Sequence, residues 1–396
     1  MPPWTTPWAG SADFFDRLRG RPRVLAVAVA AEYAGHTLPG PAVPWCADAI
    51  VLEVVTRPFP AARGRGDFAL TLPGRPAVVP EAIRSDGDQL RLTFRLAALA
   101  EPAVARLSWR RRPVANVPLA VLTEARFRAG LRATSGVTVR LGSHAVAARS
   151  FVARQCRGFV AAASFHAPAG LVPLAHLGVT VELAPPTGPA VRVPVPIAIE
   201  AAAGTDLTLG VNLPAVRARG RTVVTWYVGG HGVRADAVRG VGWRRFLDGV
   251  RIVDSGFVVD TGAGPTGVRH PPARAGGRIG PRFVVANRAG TAGVVPFGVR
   301  PTPTPSLAEP VGRLLVTDRP TLIQREPTDL TGRDDVTGFE LVAGGRGLGV
   351  VQLRPVPAAG FDAEGGFTPP PDFTWTAAAD EELADRLGRL GEPNGG

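Results

Sequence analysis

The chain has 396 residues, 45% of them hydrophobic, with 45 basic residues against 33 acidic and a formal net charge of +12. That length carries two or three domains, each able to bury a core, and the apolar share excludes an intrinsically disordered chain. Every basic residue is arginine, no apolar run approaches the 18 or so residues of a membrane-spanning helix, and two cysteines fit neither a disulfide framework nor a zinc site.

Residues 1–21 predict an extended arm followed by a short helix, Ala12–Arg19, capped by Ser11 and stopped by Gly20. Arg17–Ala31 has the outline of a signal peptide, but the Val/Ala alternation of Val24–Ala31 fits a strand. The expectation is therefore a cytoplasmic protein, with secretion as the alternative. Val24–Ala31 and Ile50–Thr56 predict two strands within 22–65, too few to fold alone, so they complete a neighbouring sheet.

Residues 66–183 offer about seven short strands, clearest in QLRLTFRL (Gln89–Leu96), where Leu90, Leu92, Phe94 and Leu96 face one way and Arg91 and Arg95 the other. Residues 184–300 follow the same plan, with strands near Val191–Ile199, Asp206–Asn212, Thr222–Val228, Val233–Val238, Phe246–Ile252, Gly256–Asp260 and Arg282–Asn287. Pro194 and Pro196 place the first of these at a sheet edge.

The two stretches read as copies. Ser108-Trp109 matches Thr225-Trp226, Arg126-Phe127 matches Arg245-Phe246, and Ser135-Gly136 matches Ser255-Gly256. Pro76-Ala77-Val78 pairs with Pro189-Ala190-Val191, Leu90 with Leu207, Phe159-Val160 with Phe283-Val284, and Val172-Pro173 with Val295-Pro296. The offset drifts from 113 to 124, as loop-length changes between packed strands produce. A period near 120 suits tandem domains rather than a solenoid. The fold expected is all-β: tandem antiparallel sandwiches resembling immunoglobulin domains, with extra N- and C-terminal strands. Residues 301–396 add a stiff linker (PTPTPS), a hairpin (Phe339–Arg354) and a short acidic C-terminal helix, Ala377–Leu390.

Charge is polarised. From Glu326 onward 13 acids face 5 arginines, net −8, which leaves about +20 on residues 1–325. This predicts docking of the acidic helix on the basic body. Aromatic residues beside basic runs nominate Arg110, Arg111 and Arg112 after Trp109, and Arg244 and Arg245 after Trp243, as binding residues against a solvated-rim alternative. His231, in the Gly-flanked turn GGHG with Asp236 nearby, is the other candidate.

Gly262–Gly267 matches G-x-G-x-x-G, but Pro265 inside it and the Pro- and Gly-rich run after it mark a loop rather than a dinucleotide site. No cofactor, metal or catalytic constellation is expected. The leading expectation is a non-enzymatic tandem-sandwich protein that binds or scaffolds a protein or polyanionic macromolecule. The alternatives are polyanion binding along the Arg-rich body, and a β-rich hydrolase at the repeat junction.

Overall fold

The computed structural model describes residues 6–7, 22–40, 42–57, 64–87, 89–167, 170–200, 204–260, 265–268, 278–303, 306–330, 333 and 335–353. Strands occupy 64% of these residues and helices 8%, so the protein is all-β. The expected helices Ala12–Arg19 and Ala377–Leu390 lie outside the described residues.

Residues up to 122 form the first two-sheet unit. Its strands are β1 (Thr6–Pro7), β2 (Arg23–Tyr33), β3 (His36–Pro39), β4 (Val43–Pro44), β5 (Ala49–Arg57), β6 (Phe68–Thr71), β7 (Ala82–Asp86), β8 (Gln89–Ala97), β9 (Ala103–Trp109), β10 (Arg112–Leu119) and β11 (Val121–Leu122). One sheet runs β1-β2-β5-β8-β7 and the other β10-β9-β6, while β4 and β11 pair in parallel. Alternation drives the packing: Leu90, Leu92, Phe94 and Leu96 join the core with Leu52, Phe68 and Leu107. On the opposite face Arg91 pairs with Glu53 of the adjacent β5, and Arg95 reaches Glu32 of β2, the strand beyond it.

The second unit begins at helix α1 (Glu124–Gly130), whose first turn is capped by the Thr123 side chain. Strands β12 (Arg132–Leu141), β13 (His144–Ala147), β14 (Ser150–Val152) and β15 (Cys156–His166) precede helix α2 (Val172–Leu177). Then come β16 (Val179–Ala184), β17 (Val191–Val195), β18 (Asp206–Leu213), β19 (Gly220–Val228) and β20 (His231–Val241). Here β13-β12-β15-β18 form one sheet and β17-β16-β19-β20 part of another. Trp226, fully buried, meets Phe165 edge-on at 5.8 Å in the core between them.

Helix α3 (Trp243–Leu247) opens the third unit. Its strands are β21 (Val250–Asp260), β22 (Pro265–Val268), β23 (Arg278–Asn287), β24 (Thr291–Thr302), β25 (Glu309–Val316), β26 (Thr321–Gln324), β27 (Thr328–Asp329), β28 (Gly338–Ala343) and β29 (Arg346–Gln352). One sheet runs β22-β21-β23-β26; β24-β28-β29 belong to the other.

One connectivity therefore occurs three times. Three central strands run β2-β5-β8, β12-β15-β18 and β21-β23-β26, and their counterparts run β6-β9-β10, β16-β19-β20 and β24-β28-β29. The anchor tryptophans share a ladder position. Leu70 pairs with Val78 and Leu107 while Phe68 pairs with Trp109; likewise Leu183 pairs with Val191 and Val224 while Val181 pairs with Trp226. Phe127 and Phe246 correspond too, both buried, but on α1 and α3.

Several expectations need correction. The division at 183/184 falls inside β16, and that at 300/301 inside β24. Strands β2 and β5 join β8 and β7 in one sheet and residues 22–57 share a core with 68–121, so the first unit starts before residue 66. A repeat reveals its period but not its phase, so the unit boundaries lie elsewhere than the repeat alone implies. Phe246 sits on a helix, not a strand. Val172-Pro173 lies on α2 whereas Val295-Pro296 lies on β24, so that match is fortuitous. Pro301 and Thr302 of the expected linker belong to β24. Pro194 does lie on an edge strand, β17.

The second and third units are locked rather than strung. Strand β14 pairs in parallel with β20 of its own unit and with β24 of the next, which fuses two sheets into one of nine strands. The Gln155 side chain prolongs that ladder: its Nε2 donates to Val294 O at 2.7 Å, and its Oε1 accepts from Val294 N at 2.8 Å. At the first junction Trp45 packs on Phe127 at 5.8 Å, and Arg128 of α1 donates to Val228 O.

Candidate functional site

The residues singled out in the sequence fall at three separate places. Arg110 and Arg111 are the two central residues of the β9–β10 hairpin turn, and Arg112 follows them. Arg110 (φ 47°) and Arg111 (φ 64°) both adopt the left-handed conformation, as a two-residue type I′ turn demands. The matching turns of the other units are Gly229-Gly230 and Gly344-Gly345. Packing explains the difference. A Cβ on Gly229 would lie 3.0 Å from the Arg128 guanidinium of α1, and one on Gly344 would lie 2.7 Å from Trp243 of α3. Each glycine turn thus presses on the helix that joins its unit to the preceding one, where a side chain has no room. The Arg110-Arg111 turn instead carries exposed side chains. Arg110 bonds Asp67 Oδ1 at 3.1 Å and lies 5.0 Å over the Trp109 ring.

His231 flanks the Gly229-Gly230 turn, exposed, with Nδ1 3.0 Å from Gly229 O. Asp236 is committed elsewhere, accepting from Ser135 Oγ. The two do not form an acid–base pair. Arg244 and Arg245 sit on α3 beyond the far end of β20, so roughly 30 Å of strand separates them from His231.

Around Arg244 and Arg245 the structure assembles a feature the sequence did not disclose. A hollow of about 550 Å³ is lined by Arg219, Arg239, Arg244 and Arg245, with Gly220, Gly240, Gly242 and Asp248. A second, of about 340 Å³, adjoins it through Gly220 and Arg239 and adds Arg149 and Arg221. All six arginines are exposed. Arg221 and Arg239 are direct cross-strand partners, an arrangement that is unfavourable for like charges. Arg149, the residue before β14, accepts through its backbone from Arg239 N at 2.9 Å. The acid in the hollow, Asp248, is bound by Arg346 at 2.6 Å. The one available signal was the alternation R-A-R-G-R (Arg217–Arg221) opposite Arg239, which becomes a cluster only once the β19–β20 register is known.

On the other side of α3, Trp243 stacks on Phe246 at 5.5 Å, with Arg154 4.5 Å over its ring. The adjoining hollow, about 390 Å³, includes Arg154, Arg157 and Arg313. Both cysteines are free thiols, and burial pushes Cys46 up to about 11. Among the described residues no group of three His, Cys, Asp or Glu is placed to hold a metal ion. Pro265–Val268 of the glycine motif forms strand β22; Gly262 and Gly264 lie outside the described residues.

No family model and no curated protein matches the sequence. Among solved structures, the I9–I11 tandem of titin is similar at 9% identity and a TM-score of 0.27, over 78% of this chain and 93% of that one. The Escherichia coli adhesin FdeC is similar at 11% identity and 0.23, over 83% and 96%. A type I pullulanase of Bacillus subtilis is similar at 10% and 0.15, over 48% of this chain, and the match spans only 23% of the pullulanase.

Proposed function

We propose that this protein is a non-enzymatic scaffold of three immunoglobulin-like sandwiches locked end to end, which holds binding surfaces for a macromolecular partner at fixed spacing. The observation that carries the reading is β14, hydrogen-bonded at once to β20 and β24. Tandem domains joined by ordinary linkers move relative to one another by default. A shared strand removes that freedom, and a protein gains from rigid tandem units when the separation between attached surfaces matters. The threefold strand order supports the immunoglobulin-like assignment, since three strands facing three or four is the plan of such sandwiches.

Distances between spin labels test this. Val191→Cys and Val350→Cys replace exposed residues of the second and third units. Burial and the raised titration of the native thiol at Cys46, with the burial of Cys156, favour labelling at the new sites. A rigid scaffold gives one narrow distance distribution. A broad one, spanning tens of ångströms, would refute the fixed geometry and the reading built on it.

A further inference from the structure

The basic cluster beside α3 is concentrated where folding alone would disperse it. We propose that the groove formed by Arg149, Arg219, Arg221, Arg239, Arg244 and Arg245 binds a linear phosphate polymer by its closely spaced charges, without recognition of bases or sugars. The inference does not depend on the scaffold reading.

Three observations carry it. First, charge placement. Arg221 and Arg239 face each other across neighbouring strands, and Arg149, just before β14, is joined to Arg239 by a backbone hydrogen bond. Directly opposed residues on adjacent strands share a face, so the Arg221 and Arg239 side chains leave the sheet about 5 Å apart, and Arg149 lines the same hollow. Arg219, Arg244 and Arg245 continue the cluster along the larger hollow. Like charges in such positions repel and cost stability, so an anion that bridges them recovers that cost on binding.

Second, compensation is absent where it would be expected. Elsewhere on this fold arginines meet carboxylates: Arg91 with Glu53, Arg192 with Glu182, Arg300 with Glu340. Among the described residues none of the six groove arginines has an acidic partner, and Asp248 is engaged by Arg346.

Third, the lining selects the ligand. Glycines 220, 240 and 242 leave backbone at the floor, and no aromatic residue lines either hollow. Base stacking and sugar platforms need aromatic faces. Trp243, the nearest candidate in sequence, is occupied between Phe246 and Arg154. What remains is a cradle for oxyanions, and arginine forks bind phosphate in bidentate fashion.

The test is binding of inorganic polyphosphate to the full chain from 50 to 200 mM NaCl, for the wild type, Arg221→Gln/Arg239→Gln, and a control, Arg84→Gln/Arg106→Gln. The control removes the same net charge from exposed positions of the first unit. Each lost phosphate contact lowers the log–log salt slope by about 1, so the groove variant should lose about 2 in slope and on the order of tenfold in affinity near physiological salt. The control should stay within about twofold of the wild type. A melting temperature at or above the wild type's shows that the groove variant folds, since a repulsive pair has been removed. Equal weakening in both variants would show diffuse attraction to net charge, and no binding by the wild type would end the proposal outright. Heparin and oligo-dT, compared at matched charge, complete the design. Tighter binding of either would show that sugars or bases are read, which overturns recognition by phosphate alone.

Discussion

The glycine turns of the second and third units allow the contact between units to be measured apart from backbone strain. Gly344 and Gly345 are neighbours in one turn, with φ of +58° and +86°. A Cβ on Gly345 meets nothing within 4 Å, whereas one on Gly344 would stand 2.7 Å from Trp243 of α3. Gly345→Ala therefore costs only the left-handed conformation, about 1–2 kcal/mol. Gly344→Ala bears that cost plus overpacking against a ring stacked on Phe246, a further 1–3 kcal/mol or so, for a total of about 2–5 kcal/mol. Urea unfolding followed by tryptophan fluorescence and by circular dichroism reads the difference. In a Trp243→Ala background the obstruction is gone, and the two alanine variants should become nearly equal. The resulting coupling of about 1–3 kcal/mol between positions 344 and 243 is the magnitude expected of residues in contact. If Gly344→Ala is no worse than Gly345→Ala in the wild-type background, the turn does not press on α3, and the account of why glycine occupies it fails.

Trp226→Ala removes a fully buried ring packed on Phe165 and should cost about 3–5 kcal/mol, while Arg110→Ala, at an exposed turn beside Asp67 and Trp109, should cost less than about 1 kcal/mol; equal midpoint shifts in chemical denaturation would place Trp226 at a surface. Arg111→Gly relieves a left-handed non-glycine worth about 1–2 kcal/mol but adds about 0.5–1 kcal/mol of unfolded-chain entropy, so a net gain of about 0.5 kcal/mol is expected in the same assay. Burial, with Asp48 and Glu124 adding to it, holds Cys46 near 11, so at pH 8 its thiolate fraction is about 0.1%. Its reaction with iodoacetamide should be on the order of 100-fold slower than that of an ordinary thiol and should accelerate as the pH rises toward 11; equal rates for native and urea-unfolded protein would refute this.

Much of the all-β character was legible because alternation is a local signal. QLRLTFRL shows its buried face residue by residue, and β8 has that pattern. The Trp109–Trp226 and Phe127–Phe246 matches identified equivalent positions, because large buried aromatics resist replacement in a packed core. The third copy leaves only a faint trace in the sequence: Val228-Gly-Gly-His-Gly and Ala343-Gly-Gly-Arg-Gly mark the same hairpin turn in two units. Boundaries were hidden for a physical reason. No Pro- or Gly-rich linker separates the units, since α1 and α3 are packed parts of both neighbours, and α3 has only five residues. The basic groove was invisible because it depends on register: Arg221 and Arg239 stand 18 positions apart and become adjacent only across the β19–β20 hairpin.

The shared strand β14 also dictates where this chain tolerates being cut. Cleavage between β20 and α3 would strip β24 from one side of β14 and leave its outward backbone donors and acceptors without partners. An open, unprotected edge of this kind invites pairing with the corresponding edge of another molecule. A two-unit fragment ending near residue 241 should therefore self-associate in a concentration-dependent way, the more so because Ala292 is lost from the second unit's core. A cut at the first junction exposes something different. There the contacts are side chains, Trp45 against Phe127 and Tyr33 against His176, so the freed surface is sticky but offers no template for strand addition. The two junctions would fail in different ways, one by edge-to-edge pairing of two copies and the other by loose clumping.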